Sequence, residues 1–202
     1  MAASSAVGVI SWQKYGYEAV AFGTAAATRD KAFGHGQRIS NLRRGNNIEP
    51  VHDMGVRNAQ KLVVKRYEGS ATLDFVLAAP WFFYPVMGGS ATTGAGPYTH
   101  TFAETDTIPS ITIENNVDLG TDHVALLRGC KIASCTITCA INEVVRVRLD
   151  LLFANETVGT TTSAVVTETL DVFVFQQGTL EIPDGTSIAD VQSCEITINN
   201  NP

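Results

Sequence analysis

Long apolar runs are missing from this chain, and none reaches the roughly 18 residues that a membrane-crossing helix needs. The N-terminus, MAASSAVGVISWQKYGYE, has neither the basic opening nor the long apolar core of a secretion signal, which predicts synthesis in the cytoplasm. Cysteine is scarce: there are four, and none has zinc-ligand spacing. Cys135 and Cys139 fall on one predicted strand, about 13 Å apart at about 3.3 Å per residue. A disulfide needs less than about 7 Å, so these two cannot bridge. Cys130 is expected on the opposite face if that strand is unbroken. All four are read as buried, reduced thiols serving as small hydrophobes.

Reactive constellations are also lacking. The histidines, His35, His52, His100 and His123, show no HxxxH or HExxH spacing. His52-Asp53 and Asp122-His123 are adjacent pairs, but neighbours on a strand point to opposite faces. No Gly-x-Ser-x-Gly elbow occurs, and Gly34-His35-Gly36 lacks the third glycine of a dinucleotide loop. The chain is therefore expected to be no enzyme and to carry no cofactor and no metal.

What is present is β pattern. The stretch from Ile108 to Phe153 reads as three strands. In Ser110–Glu114, Ile111 and Ile113 point one way, and Thr112 and Glu114 the other. In Ala133–Asn142 the odd positions, Ala133, Cys135, Ile137, Cys139 and Ile141, oppose a polar even set. In Val144–Phe153, Val145, Val147, Leu149, Leu151 and Phe153 oppose Arg146, Arg148 and Asp150. A period of two puts one face on a core and the other in water. Asn142-Glu143 is the natural turn between the last two strands.

Elsewhere, Tyr15, Tyr17, Val20 and Phe22 outline a short strand ending at Gly23-Thr24. Lys61–Tyr67 and Ser70–Leu77 read as two strands around Glu68-Gly69. Pro80 and Gly88-Gly89 bracket a short helix, kinked by Pro85, whose bulky Trp81–Tyr84 run is expected to plug the open end of a sandwich. SATTGAGPYTH reads as a flexible loop before a strand at Tyr98–Phe102. Phe173 and Phe175, then Leu180 and Ile182, indicate a loop and another strand. Ser134-Cys135-Thr136-Ile137-Thr138 is echoed by Ser193-Cys194-Glu195-Ile196-Thr197. With 202 residues, 45% of them hydrophobic, the chain suffices for one sizeable β domain or two small ones.

Charge is unevenly spread. Residues 31–66 hold eight basic residues against Glu49 and Asp53, a net +6, so a chain of net −6 leaves −12 elsewhere. Residues 31–60 show no lasting periodicity and read as an extended loop or long hairpin reaching from the body. The plainer alternative is a solvated loop that happens to be basic. Arg38, Arg43 and Arg44 are suited to phosphates, but no aromatic interleaves with them and the protein is acidic overall, which disfavours simple DNA binding.

Tyr17-Glu18, Phe22-Gly23-Thr24, Pro109–Glu114, Gly129–Ser134 and Glu143-Val144-Val145 leading into Leu149-Asp150 together resemble the tail tube proteins of long-tailed phages and related viruses. Order and spacing across most of the chain carry the resemblance. It implies a mainly β fold, an antiparallel sandwich or barrel with one short helix and a long extended loop, forming a single domain over residues 1–202. It further implies rings of six copies, stacked into a tube that conducts viral DNA without binding it specifically. The partners are then further copies and other tail proteins, with no membrane, in a virion tail assembled in the host cytoplasm. Residues 31–60, with Arg38, Arg43, Arg44 and Arg57, are expected to contact the next ring. In that family the segment like Val191–Asn201 leads into further strands. Whether this strand is terminal or a longer natural chain is cut at Pro202 stays open. The rivals are another ring-forming tail component, such as a terminator, the inner tube of an injection machine, or a monomeric β-sandwich binding module.

Overall fold

Ten strands and two short helical turns organise the residues that the computed structural model describes: 10–52, 54–55, 57–58, 60–96, 98–118, 122–160, 164–178 and 191–201. In chain order they are β1 (Ile10–Tyr17), β2 (His35–Val51), β3 (Lys61–Val76), a 3-10 turn (Pro80–Phe82) running into α1 (Phe83–Met87), β4 (Gly88–Thr93) and β5 (Thr99–Glu104). There follow β6 (Ile111–Asp118), β7 (Asp122–Ala140), β8 (Arg146–Phe153), β9 (Asn155–Gly159), a 3-10 turn at Phe175–Gln177 and β10 (Ser193–Asn199). Every pairing is antiparallel.

The 19-residue β7 is the central strand of one eight-stranded sheet. Its first half lies between β6 and β9, with β1 beyond β6. Its second half lies between β8 and β10, with β3 and then β2 beyond β8. The sheet curls into a half-barrel. The predicted mainly β class with one short helix is the observed one. The β7–β8 hairpin turns at the expected place, with Asn142 in the left-handed region at φ 62°.

β8 keeps the predicted phase, with Val147, Leu149, Leu151 and Phe153 buried and the intervening positions more open. β7 does not. Leu127, Cys130, Ile132 and Cys135 are all fully buried, a spacing of three, two and three residues. Two bulges produce it. The register to β6 slips between Ile111 and Ile113, where Gly129 sits at φ 62°. The register to β8 slips between Ile132 and Ser134. Each extra residue flips the alternation, so Cys130 faces the core with Cys135, against the expectation for an unbroken strand. Beyond Cys135 the odd face opens progressively: Ile137 is half-buried and Ile141 is exposed.

β3 corrects a second expectation. Glu68-Gly69 is no turn, because one strand runs through it. A Cβ at Gly69 would stand only 2.1 Å from ring atoms of Phe153, the residue paired with it on β8. The glycine is a seat for that ring. β2, read from the sequence as irregular, is a paired strand whose register to β3 shifts three times. The alternative of a long hairpin is therefore the observed one. SATTGAGPYTH belongs mostly to a second, two-stranded sheet of β4 and β5. Phe82 and Val86 of the helical segment are buried in the core, whereas Trp81 stays partly exposed against His100. Leu180 and Ile182 lie outside the described residues.

The polar face of β6 was expected to be wet, yet Thr112, Glu114 and Asn116 are buried. The segment after β1 covers it. That segment leaves the sheet after Tyr17 instead of continuing as a strand, so Val20 and Phe22 are exposed. Glu18 fixes it: one carboxylate oxygen accepts from Gly23 N (2.8 Å) and Ser110 Oγ (2.7 Å). The other accepts from Thr112 Oγ1 (2.8 Å) and Gly129 N (2.8 Å). Deeper in, Glu114 meets Arg29 Nε at 2.7 Å and Lys14 Nζ at 3.5 Å. Buried carboxylates without such partners would be costly.

Candidate assembly surface

The β2–β3 hairpin changes character along its length. Near the body, Leu73 and Phe75 lie in the core, and Ile39 and Leu42 pack against it. Beyond the Asn46–Tyr67 pair, where Tyr67 still packs against the core, the side chains that can be described on the two strands are exposed. They include Ile48, Val51, Leu62 and Val63, and Met54 in the turn is completely exposed. Apolar side chains on a two-stranded ribbon gain nothing by folding alone.

The same ribbon carries the basic residues. Arg38 and Arg43 are exposed on β2, and Arg57 is exposed at the turn. None of these three makes an ion pair among the described residues. The structure does not gather them into one patch. From Arg38 to the end of β2 is about 40 Å at about 3.3 Å per residue, so they form a stripe. Arg44 differs. Its Nη2 donates to Glu156 Oε1 of β9 at 2.7 Å, its Nε donates to the second oxygen, and Tyr67 Oη donates to the same carboxylate at 3.1 Å. Its hydrogen bond to Glu156 is the main cause raising the Arg44 pKa. For Tyr67, burial and then the same carboxylate push the phenol up. Arg44 thus fastens the hairpin to β9. Nothing in the sequence marks that partner, 112 residues away. Lys65 pairs with Glu49 across the ribbon.

Sheet edges are the other feature of this surface. Among the described residues, β2 pairs only with β3, β10 only with β7, β9 only with β7 and β1 only with β6, apart from an isolated bridge from Tyr15 to Lys31. Open edges offer rows of unpaired N–H and C=O groups to another chain. β2 limits this with its three register shifts and with Pro50, which has no N–H to give.

Two histidines are occupied structurally, His35 with the carbonyl of Leu170 at 2.8 Å and His100 with Thr92 Oγ1 at 3.0 Å. Among the described residues no cluster of His, Cys, Asp and Glu is placed to hold a metal ion, and no helix is long and apolar enough to cross a membrane.

A curled antiparallel sheet with open edges and an exposed ribbon defines a mainly β protein. The family model for phage tail tube proteins matches residues 13–202, and the chain belongs to that family. The comparison with curated proteins finds no match. The family makes this a structural component of the virion tail, one that assembles with other tail proteins.

Proposed function

We propose that six copies of this chain join through their sheet edges into a ring, and that rings stack into the tube through which viral DNA leaves. The observation that carries this reading is the β2–β3 ribbon, with exposed apolar side chains along its distal half and the unpaired Arg38, Arg43 and Arg57 spread along its length. The ribbon lies in a +6 segment on a chain that is otherwise −12, so its best electrostatic partner is another copy. Contacts of that head-to-tail kind build rings and open stacks. An acidic body suits a conduit that repels phosphates rather than gripping them. Assembly in the host cytoplasm, with other tail proteins at the ends of the tube, completes the reading.

Arg38, Arg43 and Arg57 are the stacking cations in this proposal. Arg44 contributes by holding the ribbon to β9. The test is the double variant R43E/R57E, examined by sedimentation and negative-stain imaging. The expected result is a folded protein that forms rings but no long tubes at ordinary salt. Wild-type tube growth should also weaken with salt, since charges beyond about 8 Å are screened at physiological ionic strength. Long tubes from the double variant would remove the stripe from the ring-to-ring contact.

A further inference from the structure

We propose that Cys139 and Cys194 form a reversible disulfide that ties the last described strand to the long central one. This stands apart from the tube reading and does not depend on it. β10 and β7 run antiparallel with Cys194 directly opposite Cys139, so both side chains leave the sheet on the same face. Two residues further, Ile141 N donates to Gln192 O at 2.9 Å. Pairs two residues apart share one hydrogen-bonding type, so Cys139 and Cys194 form a hydrogen-bonded pair with Cα atoms about 5.5 Å apart. A disulfide spans about 4.4–6.8 Å between Cα atoms.

The other thiols are arranged differently. Cys130 lies opposite Ile111, and Cys135 lies between Leu149 and Ile198. Both are fully buried, and neither has a cysteine facing it. Cys139 and Cys194 are half-buried, within reach of a small oxidant. Burial first, and the neighbouring Cys194 second, push the Cys139 thiol up.

The oxidant is a low-molecular-weight disulfide such as oxidised glutathione. One protein thiolate attacks it, forming a mixed disulfide and releasing one glutathione thiol. The second thiolate attacks the protein sulfur of that mixed disulfide and releases the other. The two cysteines give up two electrons and two protons, and the glutathione disulfide takes both. A partly exposed bond of this kind is reversible by reduced thiol.

The test uses the full chain, equilibrated in glutathione buffers of varied redox ratio, then alkylated and mapped by non-reducing peptide mass spectrometry. Under oxidising conditions we expect one linked pair of peptides, containing Cys139 and Cys194. Cys130 and Cys135 should alkylate only after unfolding. The melting temperature should rise by about 5–10 °C, and dithiothreitol should reverse the rise. The C194S variant should lose both signatures, and C130S should keep both. Persistent glutathione adducts on Cys139 or Cys194, free alkylation of both under oxidising conditions, or a bridge between two copies would each overturn the proposal.

Discussion

Glu18 shows how much one side chain can hold. Its carboxylate gathers two hydroxyls and two backbone N–H groups from its own loop and two distant segments. Glu18→Ala should cost about 3 kcal/mol or more, because each buried donor left without a partner costs about 1–3 kcal/mol. Urea titration reads that loss directly, and a change within error would mean water replaces the carboxylate freely. The sequence displayed Glu18 within a recognisable motif, but not what it binds, since Ser110, Thr112 and Gly129 come from elsewhere in the chain. Glu114 was misjudged for a similar reason. Alternation places it opposite Ile113, yet whether that face meets water depends on Arg29 and Lys14, on another segment. The buried thiols give a pH signature. Burial pushes the Cys135 thiol up to about 12 and the Cys130 thiol further. In the unfolded chain both ionise near their ordinary value of about 8.5. Their stabilising effect is thus complete below that value and is lost as pH rises through the folded values. Stability should fall from about pH 9 upward, by about 1.4 kcal/mol per pH unit for each thiol. Cys135→Ala should make the alkaline limb between about pH 9 and 12 shallower, as followed by urea midpoints.

At the scale of elements, the strands differ in how openly their sequence declares them. β8 alternates without interruption, so its face could be read directly. β7 and β2 contain bulges, and a bulge inverts the pattern after it without any residue type that must announce it. Gly129 is a partial signal, since its positive φ favours glycine. A Cβ there would also stand 3.0 Å from the Phe22 ring and 3.1 Å from Ala154. Gly69 carried the opposite hazard. Its residue type says turn, while its place under Phe153 says strand. Gly69→Ala should displace a buried ring and cost about 1–3 kcal/mol, measured by thermal melting. A variant as stable as the parent would show that the ring has room to move. The Cys139–Cys194 register was invisible for another reason: pairing between β7 and β10 is tertiary and leaves no local trace.

For the whole molecule, body and ribbon are separable in their stabilising contacts. A two-residue Asn-Gly turn joining Asn46 directly to Tyr67, its register partner, removes the distal ribbon and keeps a hairpin. The shortened protein should melt within about 5 °C of the parent, since the deleted side chains that can be described are exposed. It should also fail to grow tubes under the electron microscope. Loss of the fold would show that the ribbon is part of the core. The central place of β7, paired with four strands, has a mechanical consequence. A pull along β10 loads seven register pairs at once in shear, and passes through the backbone of β7 into β6 and β8 without crossing a flexible loop. A strand peeled from its end yields one bond at a time, whereas a sheared strand must release its bonds together. A chain threaded in this way resists stretching along the strands far better than prying at a sheet edge. Tension applied along β10 would therefore meet the chain in its stiff direction.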